Sequence, residues 1–307
     1  MMDRWPEAEK TLQRILSDHP NYWLAYDQLA FISHGQGRFR DAIHSLQAAR
    51  LTAPGNAYLQ GNLGLELLQI GEFAQGTAVL RQAFNLNPTS SEIAANISLA
   101  LRYQRKFKDA LPFARKSVEL NPSLDTSWLE LGDCYSSLPN HQRDARDAYA
   151  RAAKEVAQYL QADRTDGASW MLLALYTVKS GVPDTALSLV AKAETLGAHD
   201  LDSQVYKARV LELLGRREEA LTTLAACFRK GAGDLQVVHF PDLQALRKDS
   251  RYGQLLQHGA VANLNSRGAF ATANNVSAHP STASVEPDGL QLQPGITSQI
   301  ESVHYGN

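Results

Sequence analysis

The sequence has little of what marks secreted, membrane-spanning or nucleic-acid-binding proteins. It holds only two cysteines, Cys134 and Cys227, which imply no disulfide framework, and we predict that both are buried. Its 30 basic and 32 acidic residues leave a net charge of −2, so no excess positive charge indicates nucleic acid or an anionic membrane as a partner. The longest apolar run, residues 170–176, is far shorter than a bilayer span, and the first residues lack the apolar segment of a signal peptide. We therefore expect a soluble, cytoplasmic protein.

Residues that could carry out chemistry are also sparse. The nine histidines are scattered, and none stands at metal-ligand spacing beside a cysteine or carboxylate cluster. Residues 35–37, Gly-Gln-Gly, are similar to part of a phosphate-binding loop, but they lie between two predicted helices with no strand before them. Acidic and basic residues alternate over 143–147, which is typical of a solvated helix face. We predict no metal, no cofactor and no enzymatic activity.

A repeat of fixed period fills most of the chain. Its intervals are marked by four prolines that stand 34 residues apart: Pro20, Pro54, Pro88 and Pro122. Each interval holds two amphipathic segments of helical length, and one helical face is lined at i, i+3, i+4 and i+7 by Trp128, Leu131, Gly132 and Tyr135. An Asn before proline disfavours helical geometry, so each Asn-Pro pair ends a second helix. The period predicts an all-α fold, a right-handed superhelical α-solenoid of paired antiparallel helices.

Small residues recur at two facing positions of this repeat. On the first helix of each pair they are Ala30, Gly64, Ser98 and Gly132, and on the second helix they are Ala42, Gly76 and Ala110. Small side chains allow two helix backbones to approach closely. The pattern therefore predicts close contact within each pair.

The register divides the chain into repeats of slightly unequal length. We place a half repeat at 3–19, followed by full repeats at 23–54, 57–88, 91–122, 125–160, 167–198 and 201–232. The fifth interval is eight residues too long, with one extra residue in the turn at 138–141 and seven in its second helix. Residues 233–258 are predicted to cap the end of the stack. Residues 259–307 are rich in Ala, Ser, Asn, Gly and Pro, and we predict that they are a disordered tail.

The first half repeat has no preceding helix. In a solenoid each repeat is covered by its neighbours, so we expect four apolar residues there to lack half of their packing: Trp5, Leu12, Ile15 and Leu16. This pattern predicts that the true chain begins further upstream, or that this end mediates self-association.

These residues and the 34-residue period resemble the tetratricopeptide repeat (TPR) family over about 3–232. The long fifth second helix, the two repeats after it and the stretch at 241–252 are similar to the repeat region that ends many bacterial proteins, often behind a serine/threonine kinase or adenylate cyclase domain. The resemblance implies a non-enzymatic scaffold that binds a peptide segment of a partner protein. The alternative is a regulatory or sensor module of a bacterial kinase or cyclase system. An enzyme whose chemistry is not apparent is a third possibility.

The resemblance also implies where a peptide would bind. In this family the first helices line a concave groove, and one position of those helices carries Gln28, Asn62, Asn96 and Glu130, each 34 residues apart. Side-chain amides can both donate to and accept from the backbone of an extended peptide. The row resembles the asparagine ladder of protein O-GlcNAc transferases. We predict a peptide-binding groove of these four residues and Arg102, the alternative being amides that are merely solvated on an exposed face.

Overall fold

The computed structural model describes residues 5–229 and 240–256, and within these ranges every regular element is helical. Residues 5–229 form thirteen α-helices, α1 (Trp5–Asp18), α2 (Trp23–Gly35), α3 (Phe39–Thr52), α4 (Ala57–Gln69), α5 (Phe73–Leu86), α6 (Ser91–Tyr103), α7 (Phe107–Leu120), α8 (Asp125–Ser136), α9 (Gln142–Ala162), α10 (Gly167–Ser180), α11 (Ala186–Thr195), α12 (Leu201–Leu213) and α13 (Arg217–Arg229). Each even-numbered helix packs on the helix that follows it. The prediction of an all-α solenoid of paired helices is confirmed.

Local sequence determines where the first helices begin. Side chains accept hydrogen bonds from free backbone N–H groups at four of these starts, at Asn56 before α4, Ser90 before α6, Asp166 before α10 and Asp200 before α12. The second helices end as predicted at the residue before proline, where Asn87 has an extended φ of −137°. Helix boundaries thus repeat because their capping residues repeat.

The two helices of a pair meet through the predicted small residues. A Cβ atom built on Gly76 in α5 would lie 2.9 Å from the carbonyl oxygen of Gly64 in α4. A Cβ atom on Gly132 in α8 would lie 2.3 Å from the ring of Tyr149 in α9. Neither position has room for a larger side chain, because the neighbour is backbone in one case and a buried ring in the other.

Replacing Gly76 by alanine should therefore lower the free energy of unfolding by about 1–2 kcal/mol, since overpacking outweighs the better helix propensity of alanine. Urea denaturation followed by circular dichroism measures the change. Gly55→Ala is the matched control, because a Cβ there meets nothing within 4 Å, and it should change stability by less than about 0.5 kcal/mol. A Gly76→Ala protein as stable as the wild type would show that α4 and α5 can separate without cost.

Helix α9 is the long second helix of the fifth repeat. It has 21 residues, where α3, α5 and α7 have 14 each. Val156 and Leu160 in its last turns are buried in the same apolar cluster as Met171 and Ala174 of α10. The extra turns therefore extend the core toward the last two repeats.

Residues 240–256 fold back on the last pair of helices. They form two 3₁₀ turns, Pro241–Leu243 and Leu246–Lys248, and a helix at 250–256. Phe240, Leu243 and Leu246 are buried against α12 and α13. The predicted cap thus falls partly within the described residues, whereas the predicted disordered tail at 259–307 lies outside them.

The expectation that α1 lacks half of its packing is wrong for two of its four apolar residues. Leu12 and Ile15 are 0% and 6% exposed, because Ala25 and Ile32 of α2 cover them. Trp5 and Leu16 are only half-buried against the same cluster. Self-association through this end stays a prediction, and the unpacked face that motivated it is much smaller than expected.

Candidate functional site

The first helices stack side by side and place the predicted groove residues on neighbouring helices. Helix α6 contacts both α4 and α8. Asn62 is half-buried, while Gln28, Asn96 and Glu130 are buried to at least nine-tenths of their surface. The row of four is therefore not an exposed set of amides, and its members differ in what they contact.

Asn62 is held by a buried carboxylate on the preceding first helix. Its Nδ2 donates to Asp27 Oδ1 at 3.2 Å, and the Tyr58 hydroxyl lies 3.4 Å from Asp27 Oδ2. Burial raises the pKa of Asp27 to about 6, although the two hydrogen bonds oppose the shift. Asn62 thus joins α4 to α2, a role that its place in the repeat does not reveal.

Asn96 has the opposite environment. The side chain is 6% exposed, and its Oδ1 has no hydrogen-bond partner among the described residues. A buried amide oxygen without a partner costs about 1–3 kcal/mol, so such groups in folded proteins usually have a functional or structural reason. Asn96 Oδ1 is therefore an acceptor without a partner among the described residues, and it is shielded from solvent.

Two aromatic side chains near Asp27 remain open to solvent. Phe31, one turn after Asp27 on α2, is 58% exposed, and Tyr58 is 57% exposed. Exposed aromatic rings offer a bound chain apolar area at low cost in side-chain entropy. The part of the groove formed by α2, α4 and α6 therefore combines aromatic surface with amide groups.

The other two predicted residues are paired with each other. Arg102 donates from Nη2 to Glu130 Oε1 at 2.7 Å and from Nε to Oε2 at 3.1 Å, a bidentate pair in which both residues are buried. The repeat pattern places Arg102 in the groove but shows no partner for it. Its guanidinium and the Glu130 carboxylate bind each other. Neither group is therefore exposed to a ligand, whereas the sequence predicts both in an open groove.

This pair is one end of a buried ion network that sequence reasoning missed. The network consists of three cations and three anions from five separate elements: Arg102, Glu130, Asp133, Lys179, Arg209 and Asp242. Arg102 Nη1 lies 3.5 Å from Asp133 Oδ2, and Lys179 Nζ lies 2.9 Å from Asp133 Oδ1. Beyond Asp133, the Asp242 carboxylate binds Lys179 Nζ and accepts from Arg209 Nε at 2.8 Å. A continuous chain of charges thus runs from α6 to the 3₁₀ turn at Pro241–Leu243.

Aromatic rings and charge balance stabilise this network. Tyr149 donates to Asp133 Oδ1 at 2.8 Å, and its ring centroid lies 4.6 Å from Lys179 Nζ. Burial alone would raise the pKa of Asp133, but Lys179, Arg102 and Arg209 outweigh it and hold that pKa well below its usual range. One signal in the sequence could have revealed part of the network, since Arg209 lies between the apolar residues Ala208 and Val210, and Lys179 follows the mostly apolar stretch 171–178.

No group of three or more potential metal ligands occurs in the parts of the chain that the structure describes. None of the described helices is long and apolar enough to cross a membrane. Both cysteines are buried, as predicted, and neither forms a disulfide bond.

Comparison with known proteins identifies the repeat. The tetratricopeptide repeat profile matches residues 35–91 and 96–163. A TPR repeat-containing protein of Dictyostelium discoideum is 28% identical over 116 residues, which are 38% of this chain and 44% of that protein. The chain therefore spans less than half the length of this relative.

Solved structures show the same architecture. A human IFIT1 dimer with m7Gppp-AAAA gives a TM-score of 0.54 at 15% identity, over 85% of this chain and 65% of that one. YrrB, a TPR protein with an unusual peptide-binding site, gives a TM-score of 0.41 at 13% identity, over 61% of this chain and 93% of that one. The 34-residue register, the paired helices and the matched profile agree, and residues 35–91 and 96–163 are tetratricopeptide repeats.

Proposed function

We propose that this protein is a scaffold that binds a peptide segment of a partner protein along the first-helix face of α2, α4 and α6. The TPR fold supports a protein or peptide partner in general. The observation that carries the finer proposal is the side chain of Asn96. Its buried Oδ1 has no hydrogen-bond partner among the described residues, and the exposed rings of Phe31 and Tyr58 belong to the neighbouring first helices.

The proposed contacts follow from the chemistry of this face. When the Asn96 side chain turns toward the groove, its Oδ1 can accept a hydrogen bond from a backbone N–H of an extended peptide. This bond removes the cost of the unpartnered oxygen. Its side chains can lie against Phe31 and Tyr58. Because Asp27 fixes Asn62, that amide is already oriented before a ligand arrives, which reduces the entropy lost on binding.

The IFIT1 structure with m7Gppp-AAAA raises RNA as another ligand class. The charges on this chain favour a peptide. The net charge is −2, and the three buried cations of the ion network are neutralised by three carboxylates. The ion network therefore offers no unneutralised cation to a phosphate group. The kinase or cyclase association inferred from sequence stays a prediction.

Replacing Asn62 and Asn96 together by alanine should weaken binding of a partner peptide by about 1–3 kcal/mol, the magnitude expected for two hydrogen-bonding sites. A pull-down with the intact chain and mass spectrometry supplies the partner, and isothermal titration with the purified partner then measures affinity. Helicity should be unchanged, with only a small loss of stability from the broken bond to Asp27.

Leu51→Ala is the control for this experiment. Leu51 lies on the second helix α3 and is 82% exposed, so its removal should leave affinity unchanged. Equal affinity of wild type and the double variant, for a partner whose binding Tyr58→Ala does weaken, would exclude the amides from the site.

A further inference from the structure

The ion network contains a carboxylate that does not come from the repeats. Asp242 lies in the 3₁₀ turn Pro241–Leu243, yet it contacts Lys179 of α10 and Arg209 of α12. Both cations lie on first helices, and their side chains are 3% and 0% exposed. The first-helix face of α10 and α12 is thus already occupied by a short acidic segment of the chain itself.

Charge balance shows why this surface requires an anion. Within the described part of the repeats, the three cations have two carboxylates within 4 Å, Glu130 and Asp133. A buried cation without a counter-ion is strongly unfavourable, so this group of five charges requires a further anion. Asp242 supplies the missing negative charge.

The residues around Asp242 define the rest of the occupied surface. The Phe240 ring lies 4.0 Å from the Arg209 guanidinium carbon, and Leu243 and Leu246 are 0% exposed. Residues 240–246 thus contain, in order, an aromatic residue, a proline, an acidic residue and two leucines. Phe240, Leu243 and Leu246 pack in one apolar cluster with α12 and α13, whereas Asp242 binds Lys179 and Arg209, so the order of the side chains is specific.

We propose that Lys179 and Arg209 form a seat for an acidic side chain of a partner peptide, and that the chain's own Asp242 fills this carboxylate seat intramolecularly. The proposal rests on the function proposed above and adds a second subsite to it. The partner segment has the chemistry of residues 240–246, an acidic residue preceded by an aromatic residue and followed by leucine. Such a partner displaces the resident segment when it binds.

The test uses the full chain and a fluorescent synthetic peptide of residues 240–252. In wild type the resident segment competes at an effective concentration on the order of 1 mM, so the peptide should bind weakly. In the Asp242→Asn protein the resident charge is removed, and the peptide should bind at least about tenfold more tightly, as measured by fluorescence anisotropy. The same peptide carrying D242N should lose that gain.

A peptide carrying D249N is the matched control, because it has the same net charge as the D242N peptide. Within the described residues, the ion pair of Asp249 is with Arg251 of its own segment at 2.7 Å, so the D249N peptide should bind like the unmodified one. Equal binding of the D242N and D249N peptides would overturn the proposal, since a specific seat distinguishes the two positions. No binding of any peptide to the Asp242→Asn protein would overturn it as well.

A second measurement needs no variant protein. Trypsin cleavage after Lys248 in the wild-type chain should accelerate about tenfold when about 1 mM of a peptide of residues 240–246, which contains no trypsin site, displaces the segment, and the same peptide carrying D242N should have no such effect. Equal acceleration by both peptides, or by neither, would contradict displacement. Because neither measurement involves the face of α2, α4 and α6, their failure leaves the test on Asn62 and Asn96 unaffected.

Discussion

Replacing Asp133 by asparagine should lower the free energy of unfolding by about 3–5 kcal/mol, the cost of removing one member of a buried ion network. Asp133 is 1% exposed and lies near three cations, Lys179, Arg102 and Arg209. The substitution preserves shape and leaves those cations with too few counter-ions. Urea denaturation followed by circular dichroism at pH 7 gives the difference.

Asp147→Asn is the control for this prediction. Asp147 forms an i, i+4 pair with Arg143 at 4.0 Å, and its side chain is 73% exposed. An exposed pair contributes little, so this change should cost less than about 0.5 kcal/mol. A loss below about 1 kcal/mol in the Asp133 variant would mean that water or rearranged side chains replace the missing charge.

The ion network accounts for the position of the C-terminal segment better than it accounts for the stability of the protein. A well-packed apolar cluster of the same volume can be as stable as a buried ion network, because taking charges out of water is costly. An apolar cluster would accept the C-terminal segment in several registers. The carboxylate of Asp242 can bind both Lys179 and Arg209 in only one register, so the network specifies where the 3₁₀ turn at Pro241–Leu243 lies.

The sequence predicts the helices well because each boundary has a local cause. The proline period, the capping residues and the small residues at 64 and 76 each act within one repeat, and the structure places α2 to α13 accordingly. The periodic position of Asn62 and Asn96 likewise predicts that they share a face. Periodicity cannot predict the different partners of these two amides, because Asp27 occurs in one repeat only.

The ion network could not be predicted for a related reason. Its members are drawn from four first helices and from the segment after the repeats, and, except for Asp133 and Arg209, their positions in the repeat differ. No fixed spacing connects Arg102 with Asp133 or Arg209 with Asp242. The return of residues 240–246 to the first-helix face depends on tertiary contacts that a 34-residue pattern does not encode.

Acidification below pH 4 should destabilise the protein by up to about 3 kcal/mol per pH unit. Burial alone would raise the pKa of Asp133 and of Asp242, but the neighbouring lysine and arginines outweigh it and lower both values. A carboxyl group with a lowered folded pKa stabilises the protein above its unfolded pKa, and that contribution is lost as the pH falls through the folded pKa. Each such group gives a slope of about 1.4 kcal/mol per pH unit between the two values.

Asp27 acts in the opposite direction and at higher pH. Because burial raises its folded pKa to about 6, its contribution is complete below the unfolded value of 3.8 and is lost as the pH rises through 6. It therefore adds nothing to the slope below pH 4. Stability should pass through a maximum near pH 4, with a decline of up to about 1.4 kcal/mol per pH unit between pH 4 and pH 6 and a steeper decline toward acid.

Urea denaturation at intervals between pH 2.5 and pH 8 measures this profile in the wild type, in Asp133→Asn and in Asp147→Asn. The acid slope of Asp133→Asn should be about half that of the wild type, because one of the two buried carboxyl groups has been removed. Asp147→Asn should keep the wild-type slope, since its carboxyl is exposed. An Asp133 variant that is less stable at neutral pH but has the full wild-type slope would show that exposed carboxylates cause acid unfolding, and that the buried network stays ionised throughout.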